Sequence, residues 1–286
     1  MKTIKYFFEF IIIKFFFFIF KIFGYKISST IGEFIGKSFG PIFRSNNKIL
    51  NNLEKSNVGS SNHERNKMIS NMWGNYGRIL SEYIFLNKFK NGELNEHIKI
   101  NGLNNLDKII KEKKPVVFIS GHFNNFELMA MQIENHGVKV AAIYRPLNNF
   151  FLNGTMETIR KEYICKNQIK KGRSGTRKIL EEIKKGHSIA LMIDQRVSEG
   201  VSAKLFGRNC LTTTIPAQLV KKYNCDVVPV YVERKNNTYF DMYFYEPLKF
   251  NKDKSILDIT SELNKVLEKF ILKNPSQWIW SHDRWK

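Results

Sequence analysis

The segment that most constrains the fold is VVFISGHFNNFE, residues 116–127. Its first four residues are apolar and mostly β-branched, which is typical of a strand buried on both faces of a parallel sheet. After Gly121 the apolar residues take a helical spacing, which predicts a helix over residues 124–136. His122 then lies in the turn at the carboxyl end of a strand. Ligands and chemistry collect at that edge of open α/β sheets.

The spacing of His122 and Glu127 indicates what this pair can do. On one continuous helix, residues five apart point about 140° away from each other and cannot cooperate. With His122 in the turn and Glu127 in the first turn of the helix, the carboxylate reaches back to one imidazole nitrogen and leaves the other facing the cleft. We therefore predict that His122 is a general base for a hydroxyl and that Glu127 fixes its tautomer. The alternative is an ordinary turn histidine beside a solvated glutamate.

Other apolar runs predict further strands of the same sheet, at residues 98–100, 138–144, 189–193, 227–232 and 239–245. The fold class expected is α/β, with a central mixed, largely parallel sheet flanked by helices. Arg145 follows one of these strands and is placed to hold an anion, whereas Asp194 and Gln195 follow another. Since parallel strands end at one edge of a sheet, these side chains are expected to converge on His122. Arg160 lies on a predicted helix over residues 150–163.

A basic turn precedes another predicted helix, in the sequence KKGRSGTR at residues 170–177. Backbone amides at the start of that helix, together with Arg173 and Arg177, are suited to holding a phosphate. The alternative is a solvated basic loop. Residues 197–210 show no clear periodicity and are predicted to be a loop over the site.

The charge of the chain calls for an acidic partner. Lys and Arg total 46 against 26 Asp and Glu, a formal net charge of +20. No zinc-finger spacing, ribonucleoprotein-type aromatic motif or basic heptad helix supports nucleic acid as that partner. An anionic membrane and an acidic protein fit equally well. The three cysteines have no metal-ligand spacing and are expected to be reduced core residues.

The N-terminal run of Phe and Ile, residues 6–23, is predicted to meet lipid. Lys14 near its centre costs roughly 3 kcal/mol in a spanning helix, against about −0.3 to −0.6 for each Phe or Ile, so the sum favours insertion. An uncleaved anchor with a cytoplasmic exit is expected, and a helix lying in the membrane interface is the alternative. The predicted organisation is an anchor at 1–25, a helical membrane-proximal region at 26–90 and an α/β domain at 91–286.

Several motifs occur in one order along the chain and together carry a resemblance to a known family. They are Gly121-His122 with Glu127, Tyr144-Arg145-Pro146, Asp194-Gln195, Leu205-Phe206-Gly207, Thr212-Thr213-Thr214 and the tail QWIWSHDRWK. The series resembles the lysophospholipid and lipid A late acyltransferases. The resemblance implies a bacterial inner-membrane enzyme with its active site on the cytoplasmic face. Such an enzyme moves a fatty acyl chain from acyl carrier protein to a hydroxyl on a lipid A precursor, without metal or further cofactor.

The resemblance also implies roles for individual residues. His122 matches the general base and Glu127 its partner, while Arg145 and Arg160 match arginines that hold phosphate or stabilise developing charge. Asp194 matches the acidic residue of the later strand. Asp283 stands in the tail where the family commonly has a second basic residue.

Two other functions remain open at this point. The same pair of residues would serve an acyltransferase acting on a glycerophospholipid, an aminolipid or another glycolipid. A basic membrane protein without enzymatic activity would explain the charge but would leave the polar residues at the strand ends without a role. No motif reports the acyl chain length or the hydroxyl that is acylated.

Overall fold

The computed structural model describes residues 2–286, with the backbone alone for Arg173. Nine strands and ten α-helices occur in this part of the chain. The strands are β1 (Ile98–Asn101), β2 (Val117–Ser120), β3 (Val140–Tyr144), β4 (Asn167–Lys170), β5 (Ser188–Met192), β6 (Val201–Leu205), β7 (Arg208–Thr212), β8 (Val227–Lys235) and β9 (Tyr239–Phe244). The helices are α1 (Lys2–Phe43), α2 (Asn46–Lys55), α3 (Asn62–Glu82), α4 (Leu86–Lys90), α5 (Leu103–Glu112), α6 (Glu127–Asn135), α7 (Phe150–Ile159), α8 (Arg173–Lys184), α9 (Ile215–Tyr223) and α10 (Ile256–Lys273).

Seven strands form the central sheet, in the order β1-β9-β8-β2-β5-β3-β4. Every neighbouring pair is parallel except β8 and β9. Strand β2 lies in the middle, where Val117 and Ile119 contact one apolar core and Phe118 contacts the other. The structure therefore confirms the predicted α/β class and the largely parallel sheet flanked by helices.

Strands β2, β3, β4 and β5 run in the same direction, so their carboxyl ends share one edge of the sheet. His122 follows β2, Arg145 follows β3 and Asp194 follows β5. Lys171 follows β4, which pairs with β3 so that Tyr144 lies opposite Lys170. The predicted convergence of strand ends is therefore present, with Lys171 as an additional member.

Three strands lie outside the predicted ones. Residues 197–210, predicted to be a loop, contain most of an antiparallel hairpin of β6 and β7. Its turn is Phe206-Gly207, with φ of 51° and 70°, the positive values required by the tight turns of two-residue hairpins. The third is β4, whose polar sequence NQIK gives no apolar signal because it is an edge strand.

Helix α1 changes direction at Gly24, where φ is 74° and ψ is 174°. A positive φ is readily adopted by glycine, which explains the residue at this break. The first half carries exposed apolar side chains, among them Phe8, Phe15, Phe18 and Ile22. Among residues 2–286, no helix combines the length and the apolar character needed to cross a bilayer.

The second half of α1 packs closely against α3 through glycines on both helices. A methyl group added at Gly77 would lie 1.8 Å from the carbonyl oxygen of Gly32, and one added at Gly36 would lie 2.1 Å from that of Trp73. Such distances leave no room for a side chain. Close packing of these two helices therefore fixes α1 against the rest of the chain.

Candidate active site

His122 is held by a buried carboxylate at the edge of the sheet. Its Nδ1 lies 2.7 Å from Oδ1 of Asp194, and its backbone N–H donates to Oδ2 of the same residue at 2.7 Å. The indole N–H of Trp278 donates to Oδ2 at 2.8 Å. Asp194 is fully buried, whereas the side chain of His122 is 20% exposed. The carboxylate therefore fixes both the ring and the backbone of His122.

The charges of this pair stabilise each other. Burial alone would lower the pKa of His122, but the charge and hydrogen bond of Asp194 outweigh it and raise that pKa above the ordinary histidine value. Burial opposes ionisation of Asp194, yet His122 and the other donors lower its pKa to about 2. An ionised Asp194 accepts a hydrogen bond from the N–H group at Nδ1 of His122. This leaves Nε2 of the neutral ring as a hydrogen-bond acceptor. Nε2 has no hydrogen-bond partner among the described residues.

The prediction that Glu127 hydrogen-bonds to His122 is wrong in the structure. Oε1 of Glu127 instead accepts from Nε and Nη2 of Arg160, at 3.1 and 2.9 Å, and from the hydroxyl of Tyr83 at 3.1 Å. The physical reason is that Asp194, from the neighbouring strand, already occupies Nδ1. Glu127 therefore orients Arg160, and Asp194 takes the orienting position at the histidine.

Arg160 lies where the backbone departs from regular α-helix. Helix α7 ends at Ile159 and continues as a π-helix over Arg160–Ile164. Such π-turns are often found at functional sites because they redirect single side chains. With Nε and Nη2 on Glu127, Nη1 of Arg160 is buried and without a partner in residues 2–286. The two N–H donors of Nη1 therefore remain available beside Glu127.

The turn between His122 and Glu127 is held by two asparagines. The side-chain amide of Asn124 donates to the carbonyl of Val232 at 2.9 Å and to Oε1 of Gln277 at 2.6 Å. The amide of Asn125 donates to Oε2 of Glu82 at 3.2 Å. Glu82 is fully buried and forms a two-pronged ion pair with Arg234, with N–O distances of 2.6 and 3.0 Å. The turn is thus fixed by β8, α3 and the C-terminal tail.

A cavity of ≈370 Å³ lies against these groups. Of the predicted site residues it is lined by His122, Glu127, Arg145, Arg160 and Gln195, while Asp194 lies buried behind His122. Its wall is otherwise largely apolar, with Ile143, Leu147, Ile164 and Ile215 among the lining residues. The cavity therefore combines an imidazole, two guanidinium groups and apolar surface.

The predicted phosphate site at the start of α8 is only partly described. The side chain of Arg177 is 87% exposed and lies 3.6 Å from Glu181, away from the cavity. The side chain of Arg173 lies outside the described residues. Lys171, in the same basic turn, does line the cavity, and burial together with the charge of Arg145 lowers its pKa. Lys171 of this basic turn therefore forms part of the cavity wall.

Three further residues at the site were not assigned a role from the sequence. Trp278 holds Asp194, Tyr83 holds Glu127, and the Nε2 atom of His282 accepts from the backbone N–H of Arg196 at 2.9 Å beside the cavity. Trp278 and His282 belong to the tail motif, which was the available signal. Tyr83 was hidden in a helical apolar pattern, because its ring is buried in the core and only its hydroxyl reaches Glu127.

No group of three or more His, Cys, Asp or Glu side chains within residues 2–286 is placed to hold a metal ion. The three cysteines are buried free thiols, and burial raises the pKa of Cys165 to about 12. The ionisable groups that line the cavity include the imidazole of His122 and the cationic side chains of Arg145, Arg160 and Lys171.

Comparison with known proteins gives one family across the whole chain. The family model described as bacterial lipid A biosynthesis acyltransferase matches residues 1–286. A lipid A biosynthesis palmitoleoyltransferase of Escherichia coli (strain K12) is 25% identical over 266 residues, 92% of this chain and 86% of its own length. A lipid A biosynthesis lauroyltransferase of the same organism is 23% identical over 269 residues, with the same coverage. The solved structure of a 1-acyl-sn-glycerophosphate acyltransferase from Thermotoga maritima is a loose match, with a TM-score of 0.44 and 11% identity over 90% of this chain and 100% of that one.

Proposed function

The chain belongs to the bacterial lipid A biosynthesis acyltransferase family, and we propose that it transfers a fatty acyl chain from acyl carrier protein to a hydroxyl of a lipid A precursor. The observation that carries the proposal is His122, held from behind by Asp194, on the wall of a cavity whose remaining lining is largely apolar. An acyl thioester is already activated. The enzyme therefore needs to deprotonate a hydroxyl, orient it and stabilise the charge that develops on the carbonyl oxygen.

In the proposed mechanism, Nε2 of His122 accepts the proton of the acceptor hydroxyl. The oxygen attacks the thioester carbonyl carbon, and Asp194 stabilises the imidazolium that forms. When the tetrahedral intermediate collapses, the carbon–sulfur bond breaks and the imidazolium returns its proton to the leaving thiolate. The ester and a free thiol are the products. No covalent acyl-enzyme is needed.

Arg160 is proposed to stabilise the developing oxyanion through its unpartnered Nη1 group. Glu127 supports this role because it accepts from Nε and Nη2 of the guanidinium, and Tyr83 in turn donates to Glu127. A charged donor that is already oriented requires little rearrangement during the reaction, which is the basis of electrostatic catalysis. Glu127 is thus a positioning residue in this mechanism, one step removed from the base.

The cationic groups suit anionic substrates. Arg145 and Lys171 follow adjacent strands and face the same cavity, and neither forms an ion pair among the described residues. They are proposed to hold a phosphate of the acceptor or of the donor's pantetheine arm. The formal net charge of +20 suits acyl carrier protein, which is acidic, and an anionic bilayer. Gln195 lies on the same wall and is proposed to contact substrate.

We propose that the protein works at the cytoplasmic face of the inner membrane, with α1 in contact with lipid. The exposed Phe and Ile side chains in the first half of α1 and the lysines between them support a helix lying in the membrane interface. In that arrangement the lysines reach the headgroups while the apolar side chains enter the acyl region.

The test is acyl transfer by purified protein, with acyl carrier protein thioesters as donors and a lipid A precursor as acceptor. Mass spectrometry of the product should show the mass of one added acyl chain. Glycerophospholipid, aminolipid and glycolipid acceptors are tested in parallel, and faster transfer to one of them would overturn the proposed acceptor. No transfer to any acceptor would overturn the proposed function.

A further inference from the structure

A second cavity, of ≈560 Å³, lies beneath the first half of α1 and is separate from the proposed reaction site. On one side it is lined by Lys14, Phe17, Phe18 and Lys21 of α1. On the other it is lined by Tyr83, Ile84 and Asn87 and by residues of α7 and the following π-helix, Thr155, Thr158, Ile159, Glu162 and Tyr163. The mechanism proposed above does not use this cavity.

Contacts on α1 keep the cavity from being a loose gap between helices. Near its start, the backbone carbonyl of Tyr6 and the carboxylate of Glu9 accept from the side-chain amide of Asn149, at 2.8 and 3.2 Å. Further along, Phe17 and Phe20 are buried in the core, with 6% and 2% exposure. These contacts hold the first half of α1 in place over the cavity.

The cavity wall combines apolar side chains with two lysines. Phe17, Tyr83 and Ile159 provide apolar surface, and the lysines stand seven residues apart on one face of α1, about 10 Å along the helix. Lys14 lies over the ring of Phe10 and, like Lys21, forms no ion pair among the described residues. One carboxylate, Glu162, also lines the cavity. The two lysine amines could bind the phosphate of a lipid headgroup, and the apolar side chains could contact its hydrocarbon chain.

The position of the cavity on the molecule points to the bilayer as the source of that ligand. Phe18 lines the cavity and is 64% exposed, and its neighbours on the outer surface, Phe15 and Ile22, are 59% and 66% exposed. A chain leaving the cavity therefore continues along apolar surface that already suits lipid. The positive charge and the apolar surface therefore both favour a phosphate-bearing lipid as the ligand.

We propose that this second cavity binds the phosphate headgroup of a membrane lipid, with Lys14 and Lys21 holding the phosphate. The cavity shares one wall with the proposed reaction site. Tyr83 lines the second cavity, and its hydroxyl donates to Glu127 at 3.1 Å, which in turn holds Arg160. A lipid bound in the second cavity would contact Tyr83, which positions the Glu127–Arg160 pair. Occupancy of the cavity is therefore expected to change the rate of acyl transfer.

The test measures lipid binding directly, so its result does not depend on the proposed function. Purified protein in neutral detergent is titrated with phosphatidylglycerol, with phosphatidylcholine as the lipid without net charge, and bound lipid is counted by native mass spectrometry. The Lys14→Gln/Lys21→Gln variant should bind phosphatidylglycerol about 10- to 30-fold more weakly, from about 1 kcal/mol for each lysine. Lys2→Gln/Lys5→Gln is the control for charge, since it removes two positive charges from the same helix outside the cavity, and the pair that Lys5 forms with Glu9, at 3.8 Å, is largely exposed.

Equal weakening by both double variants would overturn the proposal, because it would show attraction to the helix as a whole. Unchanged binding in the Lys14→Gln/Lys21→Gln variant would overturn it as well. Thr155→Trp, which fills the cavity and keeps both lysines, should weaken binding to a similar extent. Competition with a lipid A precursor identifies the source of the phosphate. Displacement of phosphatidylglycerol assigns the site to the acceptor, and retention of both lipids assigns it to a bilayer lipid that does not react.

Discussion

Asp194 holds His122 through two hydrogen bonds of 2.7 Å, one to the ring and one to the backbone. The two residues are 72 positions apart in sequence and follow adjacent parallel strands, β2 and β5. A carboxylate that fixes both the main chain and the imidazole determines which nitrogen faces the cavity. This relationship, more than the proximity of Glu127 in the sequence, makes His122 suitable as a base.

Replacing Asp194 with Asn should lower the rate of acyl transfer by about 10²- to 10⁴-fold, because the neutral amide no longer fixes the tautomer or stabilises the imidazolium. The pH profile provides a second readout. If His122 is the base, it must be neutral to act, so the activity of the wild type should fall as pH decreases through its raised pKa. Loss of the Asp194 charge lowers that pKa and should move the acidic limb to lower pH. An acidic limb that stays in place would contradict the assignment.

Replacing Glu127 with Gln should also slow transfer, for a different reason. Arg160 loses its carboxylate partner and its fixed orientation, so stabilisation of the developing charge weakens. Glu127 makes a smaller contribution to the pKa of His122 than Asp194 does. The acidic limb of the pH profile should therefore move less than in Asp194→Asn. A larger displacement in Glu127→Gln would restore Glu127 as the partner of the histidine.

The contact between α1 and α3 should tolerate no methyl group at Gly77. Gly77→Ala places Cβ 1.8 Å from the carbonyl oxygen of Gly32, which forces the helices apart and should cost about 1–3 kcal/mol or more in the free energy of unfolding. Gly154→Ala in α7 is the matched control, since nothing lies within 4 Å of its added Cβ. It should be neutral or stabilising by up to about 1 kcal/mol. Denaturant unfolding in detergent measures both, and equal stability of the two variants would contradict the packing described.

Glu82 should be important for stability as well as for the active-site turn. Glu82→Gln removes the charge that pairs with Arg234, and a buried ion pair broken on one side costs about 3–5 kcal/mol. Glu54→Gln, on the exposed face of α2, should change the free energy of unfolding by less than about 0.5 kcal/mol. If both variants unfold at the same denaturant concentration, the buried pair does not contribute as described.

The sheet and the edge that carries the site were predictable from the sequence, because its interior strands are continuous apolar runs with polar residues at their ends. Strand β2 at Val117–Ser120 and strand β5 at Ser188–Met192 lie within one residue of the predictions. Strand β4 was missed because its polar sequence suits an edge, and its identity depends on pairing with β3. The hairpin of β6 and β7 was missed because Phe206-Gly207 is a less common turn sequence than Asn-Gly.

Partners within the site were harder to predict than its members. The spacing of five residues between His122 and Glu127 predicted that these two side chains would pair. The structure instead pairs His122 with Asp194 and Glu127 with Arg160, across strands and helices distant in the chain. Local spacing indicates which residues lie near the turn. Their hydrogen-bond partners depend on the order of the strands in the sheet, which places Asp194 and not Glu127 at Nδ1 of His122.

The central claim, that His122 is the base, is tested most directly by acyl transfer with His122→Ala. The rate of transfer from acyl carrier protein thioesters to a lipid A precursor is measured at saturating concentrations of both substrates, with the folded state of the variant checked by its unfolding transition. This role of His122 predicts a rate at least about 10²-fold below that of the wild type, with donor and acceptor still bound. A folded His122→Ala variant that transfers acyl chains as fast as the wild type would contradict it.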